Sequence, residues 1–295
     1  MHRKQFIQSL AAILPVSAIA MQLQSLNRIA QTFTSTATMP VLFLGHGSPM
    51  NAIEENEFVA SFRKMGQALP KPQAILCISA HWETRGTMVT AMEQPRTIHD
   101  FGGFPKELFA VQYPAPGSPD LARITQEIIT QTTVGLDEKW GLDHGAWSVI
   151  KHLYPNADVP VIQMSIDYTQ GPAYHYELGK QLAALRNKGV LIVGSGNMVH
   201  NLRMVAWDKL DTPGFGYDWA LEAREKMNTA ILNGNHQALV NFKQQGRAFD
   251  LAIPSPEHFL PLLYTLGLQQ KGEAISLFND QALGGSLTMT SVQIG

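Results

Sequence analysis

From residue 39 onward the chain alternates between short apolar runs and longer segments with helical patterning. The apolar runs at 41–44, 74–79 (AILCIS), 88–92, 161–166 (VIQMSI), 190–194 (VLIVG), 275–278 and 286–293 predict strands. Their nearly continuous apolar character fits strands covered on both faces, as in a mostly parallel sheet. Helical patterns run over 55–68, 118–131, 145–153, 174–187, 217–232, 236–246 and 256–266. Two of these carry explicit start signals. Ser118 and Ser255 stand as N-caps, each followed by a proline at the first helical position. The expected fold class is α/β, a single three-layer αβα domain around a mostly parallel, mixed central sheet.

The first 38 residues stand apart from this alternation. Arg3 and Lys4 precede an apolar stretch that ends in Ala18-Ile19-Ala20, the order of a secretory signal with a small-x-small cleavage site. Arg3-Lys4-Gln5-Phe6-Ile7 is similar to a degenerate twin-arginine signal, which would make the protein exported or periplasmic. The alternative is an amphipathic helix packed on the domain of a cytoplasmic protein. Gln8, Ser9 and Pro15 interrupt the stretch too soon for a membrane span. The expected organisation is a leader at 1–38 and a catalytic domain at 39–295.

Composition narrows the partners. A net charge of −2, with no block of like charge, gives no reason to expect nucleic acid or an anionic membrane. The lone Cys77 excludes an internal disulfide and a cysteine-rich zinc site, and its apolar surroundings read as core. The connection 93–117 is long and rich in Gly, Pro and aromatics, as functional loops often are. Phe101 and Phe104 within it would either cover a flat ring or pack the loop on the sheet.

The chemistry sits at strand ends. VLFLGHGSP carries His46 just past the first strand, ISAHW carries His81 past the second, and VGSGNMVH leads to His200. In open α/β sheets, ligands bind beyond the carboxyl ends of strands, so these three histidines are positioned to converge. Gly45 and Gly47 would let the chain turn and keep side chains out of a ligand's way. Ser79 and Ala80 would narrow the approach to His81, and Trp82 would wall the pocket. His258 falls near the third position of the 256–266 helix, where the helix dipole favours a neutral ring. Glu257 beside it offers a carboxylate, and His144 in GLDHGAW lies at another element boundary. Neutral imidazoles with one carboxylate suit zinc with a water in its open position, or Fe(II) with open sites for substrate and O₂. HExxH, GxSxG and Walker motifs are lacking, which weakens protease, esterase and nucleotide-hydrolase readings.

Taken together, MPVLFLGHGSPMNAIE, ISAHWETRG, TIHDFGGFP, YPAPGSP, GLDHGAW, GSGNMVHNL, PEHFLPLLYTLG and SVQIG resemble the 4,5-DOPA extradiol dioxygenase family. That family is a branch of the class III, LigB-type ring-cleaving dioxygenases. The likeness covers 39–295, and Met39 falls where shorter relatives begin. It implies a LigB-like domain with one divalent metal at one end of the sheet: Fe(II) for activity, with Zn(II) an ion that the same ligands hold. His46 and His81 match two metal ligands. For the third, the resemblance favours His258, with Glu257 as the alternative. His200 matches the acid–base histidine and a residue able to approach the metal, and His144 matches a residue contacting substrate or oxygen. The implied reaction takes a small-molecule catechol such as DOPA and O₂, and cleaves the ring outside the diol to a muconic semialdehyde. Asp100, Arg85 and Arg203 are candidates for holding the amino-acid end of DOPA. Two other readings remain open on these residues: a zinc-dependent hydrolase on the same scaffold, and a non-catalytic metal-binding protein.

Overall fold

The computed structural model describes residues 33, 34 and 36–295. Its strands are β1 (Val41–Gly45), β2 (Ala74–Thr84), β3 (Thr87–Thr90), β4 (Val134–Asp137), β5 (Val161–Asp167), β6 (Val190–Gly196), β7 (Ile275–Phe278), β8 (Ala282–Leu283), β9 (Leu287–Thr288) and β10 (Ser291–Ile294). Eight of them form one sheet in the order β4-β3-β5-β2-β6-β1-β10-β7, and β8 pairs with β9 separately. The four central strands β5, β2, β6 and β1 are mutually parallel, while β3 and β10 join them antiparallel. The sheet is therefore mixed at its edges and parallel at its centre.

Alternate residues of the central strands enter two separate cores. Phe43, Leu76, Ile78 and Ile192 belong to one. Leu42, Ile75, Cys77 and Val193 belong to the other. Opposite faces of a strand thus feed opposite layers. The first core is closed by α2 (Pro119–Ile128), α4 (Pro172–Gln181), α5 (Asp218–Leu232) and α6 (Leu260–Gly267), the second by α1 (Glu57–Ala68) and α3 (His144–Leu153). This is the expected αβα arrangement. Burial lifts the Cys77 thiol well above its usual range and leaves it an inert core residue.

Some elements differ from expectation, each for a local reason. The 256–266 helix begins only at Leu260, because Pro261 rather than Pro256 occupies the first helical turn. Ser255 caps nothing there and donates instead to Glu257 Oε1 at 2.8 Å. The predicted 286–293 strand divides into β9 and β10, since Met289 N turns away to bond the carbonyl of Gln281. The edge strand β4 has no counterpart among the apolar runs, because its four residues, VGLD, carry little apolar signal. The segment 236–246 is broken into His236–Val240 and a 3₁₀ turn at Phe242–Gln244.

At the start of the described chain, Phe33 is buried in the first core, and Thr36 N bonds the carbonyl of Asn187 at 3.1 Å. The signal-like stretch itself lies outside the described residues. Among the described residues, no helix is long and apolar enough to cross a membrane.

Candidate active site and metal centre

The second strand does more than end at its histidine. Ile78 of β2 faces Met164 of β5, and the next matched pair is Glu83 with Ile166. Four residues, Ser79 to Trp82, are thus set against Ser165 alone. This bulge carries His81 out of the ladder while the strand continues to Thr84. Trp82 is buried in a stack on Trp140, with ring centroids 5.6 Å apart, and takes no part in lining the cavity.

His46 follows β1 directly, its N–H donating to the carbonyl of Gly196 at 3.0 Å. The glycines on either side of it serve the backbone. A Cβ on Gly45 would stand 2.5 Å from the carbonyl oxygen of Met289, and Gly47 has φ +63°, a conformation costly for other residues. Both let the Met289 segment close in, and Gly47, as the sequence had suggested, also lines the cavity. Gly196 acts similarly, since a Cβ there would run into the carbonyl of His258.

His258 lies in the turn before α6, not within a helix. The predicted role of the helix dipole gives way to a stronger effect. Burial, followed by the charges of His200, His81 and His144, holds its pKa well below the usual imidazole value. His144 is the first residue of α3, placed by Asp143, whose side chain caps the helix through Ala146 N at 3.1 Å. Burial raises the Asp143 pKa, and Ser79 Oγ and Gln163 Nε2 donate to its carboxylate at 2.6 and 2.7 Å. His200 comes from the chain beyond β6, its N–H bonded to the carbonyl of Ala252.

These five histidines meet. His46 Nε2 and His81 Nε2 are 3.3 Å apart. The His258 ring is 5.2 Å from that of His46 and 4.9 Å from that of His81, and it stacks on His200 at 3.5 Å. His144 packs on His81 at 3.9 Å. Potential ligand atoms of His46, His81 and His258 all lie within 4.8 Å of one another.

The outer nitrogens settle which atoms face inward. Ser195 Oγ donates its only proton to the carbonyl of Gly145 at 2.5 Å, so at His46 Nδ1, 3.0 Å away, it accepts. His46 therefore carries its proton on Nδ1 and a lone pair on Nε2. Asp100 Oδ2 lies 2.9 Å from His144 Nδ1 and 3.5 Å from His81 Nδ1, and Asp100 Oδ1 accepts from His144 N. Glu257 Oε1 takes the same place at His258 Nδ1, 3.2 Å away. Each ring thus turns its Nε2 lone pair inward. Two such lone pairs 3.3 Å apart repel unless a cation lies between them, so the donor set fits a metal ion. Carboxylates on the far side of ligand histidines are the usual outer support of such sites.

The electrostatics agree. Burial holds His46 well below its ordinary pKa, and brings His81 to about 3 and His200 to about 4. At neutral pH these rings are neutral, the form that binds metal. Burial alone would raise the Asp100 pKa, but hydrogen bonds from His144 and the neighbouring imidazoles bring it below the usual carboxylate value.

The five histidines line one cavity of about 300 Å³, together with Phe101 and Phe104 from the 93–117 connection. The remaining sequence candidates do not line the cavity itself. Asp100 is engaged by histidines, Arg85 sits over the Tyr168 ring at 5.8 Å, and Arg203 lines a neighbouring groove with Glu257. The supporting Ser195 and the apolar residues Leu202, Trp207, Leu210, Leu283 and Leu287 were not singled out in the sequence. Ser195 carried only one signal, its place between two glycines at the end of β6.

Against known proteins, residues 36–285 match the family described as the catalytic LigB subunit of aromatic ring-opening dioxygenase. The chain belongs to the LigB family. It is 50% identical over 265 residues to the 4,5-DOPA dioxygenase extradiol of Escherichia coli, covering 88% of this chain and 96% of that protein. A protein of the same description from Beta vulgaris is 37% identical, covering 84% and 94%. A crystal structure of an uncharacterized Escherichia coli K12 protein superposes with a TM-score of 0.75 at 45% identity, covering 87% of this chain and all of that one. As a LigB-family member the protein is an aromatic ring-opening dioxygenase of the extradiol type, acting on a small molecule and O₂ at a mononuclear metal site.

Proposed function

We propose that the protein cleaves a catechol outside its diol, with both atoms of O₂ entering a muconic semialdehyde product, at an Fe(II) held by His46, His81 and His258. The observation that carries this reading is the set of three inward lone pairs at one end of an apolar cavity of about 300 Å³. That volume is at the small end of ligand sites and suits a single substituted ring. Glu257 is assigned to orienting His258, whose Nδ1 lies 3.2 Å from its Oε1, which leaves Nε2 of that ring to the metal. The bound metal would supply the charge that acidifies the catechol and the centre at which O₂ is activated.

The protein's own groups do the rest. His200, neutral at pH 7, takes a proton from the entering catechol and returns it to the departing oxygen. His144 holds its proton on Nδ1 toward Asp100, so its Nε2 is free to accept a hydrogen bond from substrate. Phe101 and Phe104 cover the ring and limit water. The relatives named for 4,5-DOPA make DOPA the first catechol to try.

The test is reconstitution with Fe(II) under nitrogen, followed by catechol and oxygen. Stoichiometric O₂ uptake with a yellow ring-opened product is expected. Uptake by none of a broad catechol set, with the metal bound, would refute the reading. Zinc in the purified protein is compatible with it, since zinc outcompetes Fe(II) for such ligands.

A further inference from the structure

Beside the histidine cavity runs a second groove of about 210 Å³, and the two share His200 and Leu202. The groove carries one charge of each sign, Arg203 and Glu257. These charges are not joined to each other. Arg203 is exposed and forms no ion pair among the described residues. Glu257 Oε1 accepts from Ser255 Oγ and lies 3.2 Å from His258 Nδ1, while its Oε2 accepts nothing from the described residues. Asn201 is buried and also lines the groove. Its Nδ2 donates to the carbonyl of Leu251 at 2.8 Å, which fixes the amide and leaves Oδ1 as an acceptor without a partner. Few buried acceptors go unpaired, and this one is open to a donor from outside the chain.

We propose that this groove receives the ring substituent of the catechol and is built for a short chain ending in an α-amino acid. Arg203 holds the carboxylate, and Glu257 Oε2 with Asn201 Oδ1 holds the ammonium. The inference rests on the ring-cleavage reading, which puts the diol at the metal and the ring beside His200. A substituent that leaves the ring past His200 and Leu202 passes from the cavity into the groove. Arginine offers a carboxylate two parallel N–H donors and keeps its charge throughout the neutral range. An ammonium has only donors, and the groove supplies it with a carboxylate oxygen and an amide oxygen that the fold leaves unused. Both ends of the substituent thus exchange water for a partner of opposite charge, where an uncharged wall would strip their hydration without return.

The test has two arms. Binding is measured by calorimetry on zinc-loaded protein without oxygen, for DOPA, dopamine (no carboxylate), dihydrocaffeate (no amine) and 4-propylcatechol (neither). DOPA should bind about 5- to 10-fold more tightly than dopamine, the worth of a charge-assisted contact in a half-open groove. Arg203→Gln, a change at an exposed position outside the core, should abolish that advantage and leave zinc, dopamine and 4-propylcatechol binding as in the native protein. Equal affinity of the native protein for DOPA and dopamine overturns the proposal, as does an advantage that survives in the variant. DOPA bound no more tightly than dihydrocaffeate overturns the ammonium contacts at Glu257 and Asn201. Cleavage is then measured with the Fe(II)-loaded protein on the same compounds. Cleavage of none of them, with the native order of affinity intact and lost in Arg203→Gln, would fault the ring-cleavage reading and uphold the groove.

Discussion

Ser195 Oγ lies 3.0 Å from His46 Nδ1 and gives its own proton to the carbonyl of Gly145. A hydroxyl has one proton to give, so this single side chain fixes the tautomer and the orientation of a buried ring on the far side of the metal centre. Ser195→Ala should therefore weaken metal binding by about 10- to 100-fold without disturbing the fold. Chelator competition with Zn(II) and Fe(II) measures it, and unchanged affinity would show that the hydroxyl has no such role.

Asp100 reaches two histidines through one oxygen, at 2.9 and 3.5 Å. Removing its charge should affect a metal ligand and a substrate-facing ring together. Asp100→Asn is expected to lower metal affinity and, in protein saturated with metal, turnover, each by about 10-fold or more. A variant that lost only one of the two would show that the carboxylate serves a single ring.

His200 is assigned the proton transfers. His200→Gln should reduce turnover by about 10²–10⁴ while the metal remains bound. Near-normal rates at full metal occupancy would remove His200 from the mechanism.

Away from the site, His175 is fully buried, with Nδ1 3.0 Å from Tyr264 Oη and no partner for Nε2. Burial lowers its pKa from 6.5 to about 4. Between these values the unfolded chain binds the proton and the folded one does not, so stability rises with pH across that window. Above 6.5 there is no penalty. It grows as pH falls and levels off below about 4, at roughly 3 kcal/mol. In urea unfolding between pH 4.5 and 7, His175→Gln should reduce the pH slope by up to one proton's worth. Parallel curves for the two proteins would refute this assignment.

Gly196 closes the interior side of the His258 turn, because any Cβ there meets the His258 carbonyl. Gly196→Ala should cost about 1–3 kcal/mol in stability by overpacking. Displacement of His258 should also weaken metal binding. Thermal unfolding and metal titration read the two effects, and a variant of native stability would mean that the turn yields freely.

The sheet and the convergence of the histidines were legible because both follow from backbone logic. Continuous apolar runs mark buried strands, and a histidine just past such a run lies at the sheet's carboxyl edge. What escaped was set by contacts distant in sequence. Ser195 meets His46 across 149 positions, and Asp100 meets His144 across 44, pairings that no local pattern announces. The start of α6 was misplaced because two prolines, Pro256 and Pro261, both resemble first-turn residues, and only packing selects the second. The glycines around His46 looked like clearance for a ligand, yet Gly45 answers to Met289, a segment 244 residues later.

The bulge in β2 has a further consequence. Ala74–Ile78 keep step with both neighbouring strands, whereas Ser79–Trp82 are set against one residue of β5. A single strand thus has a segment governed by the sheet and an insert governed by the chemistry. Changes of length or composition in that insert would move His81 relative to the other rings while the hydrophobic layers beneath stayed as they are. Evolution, or a designer, can adjust the reach of this ligand without rebuilding the domain that carries it.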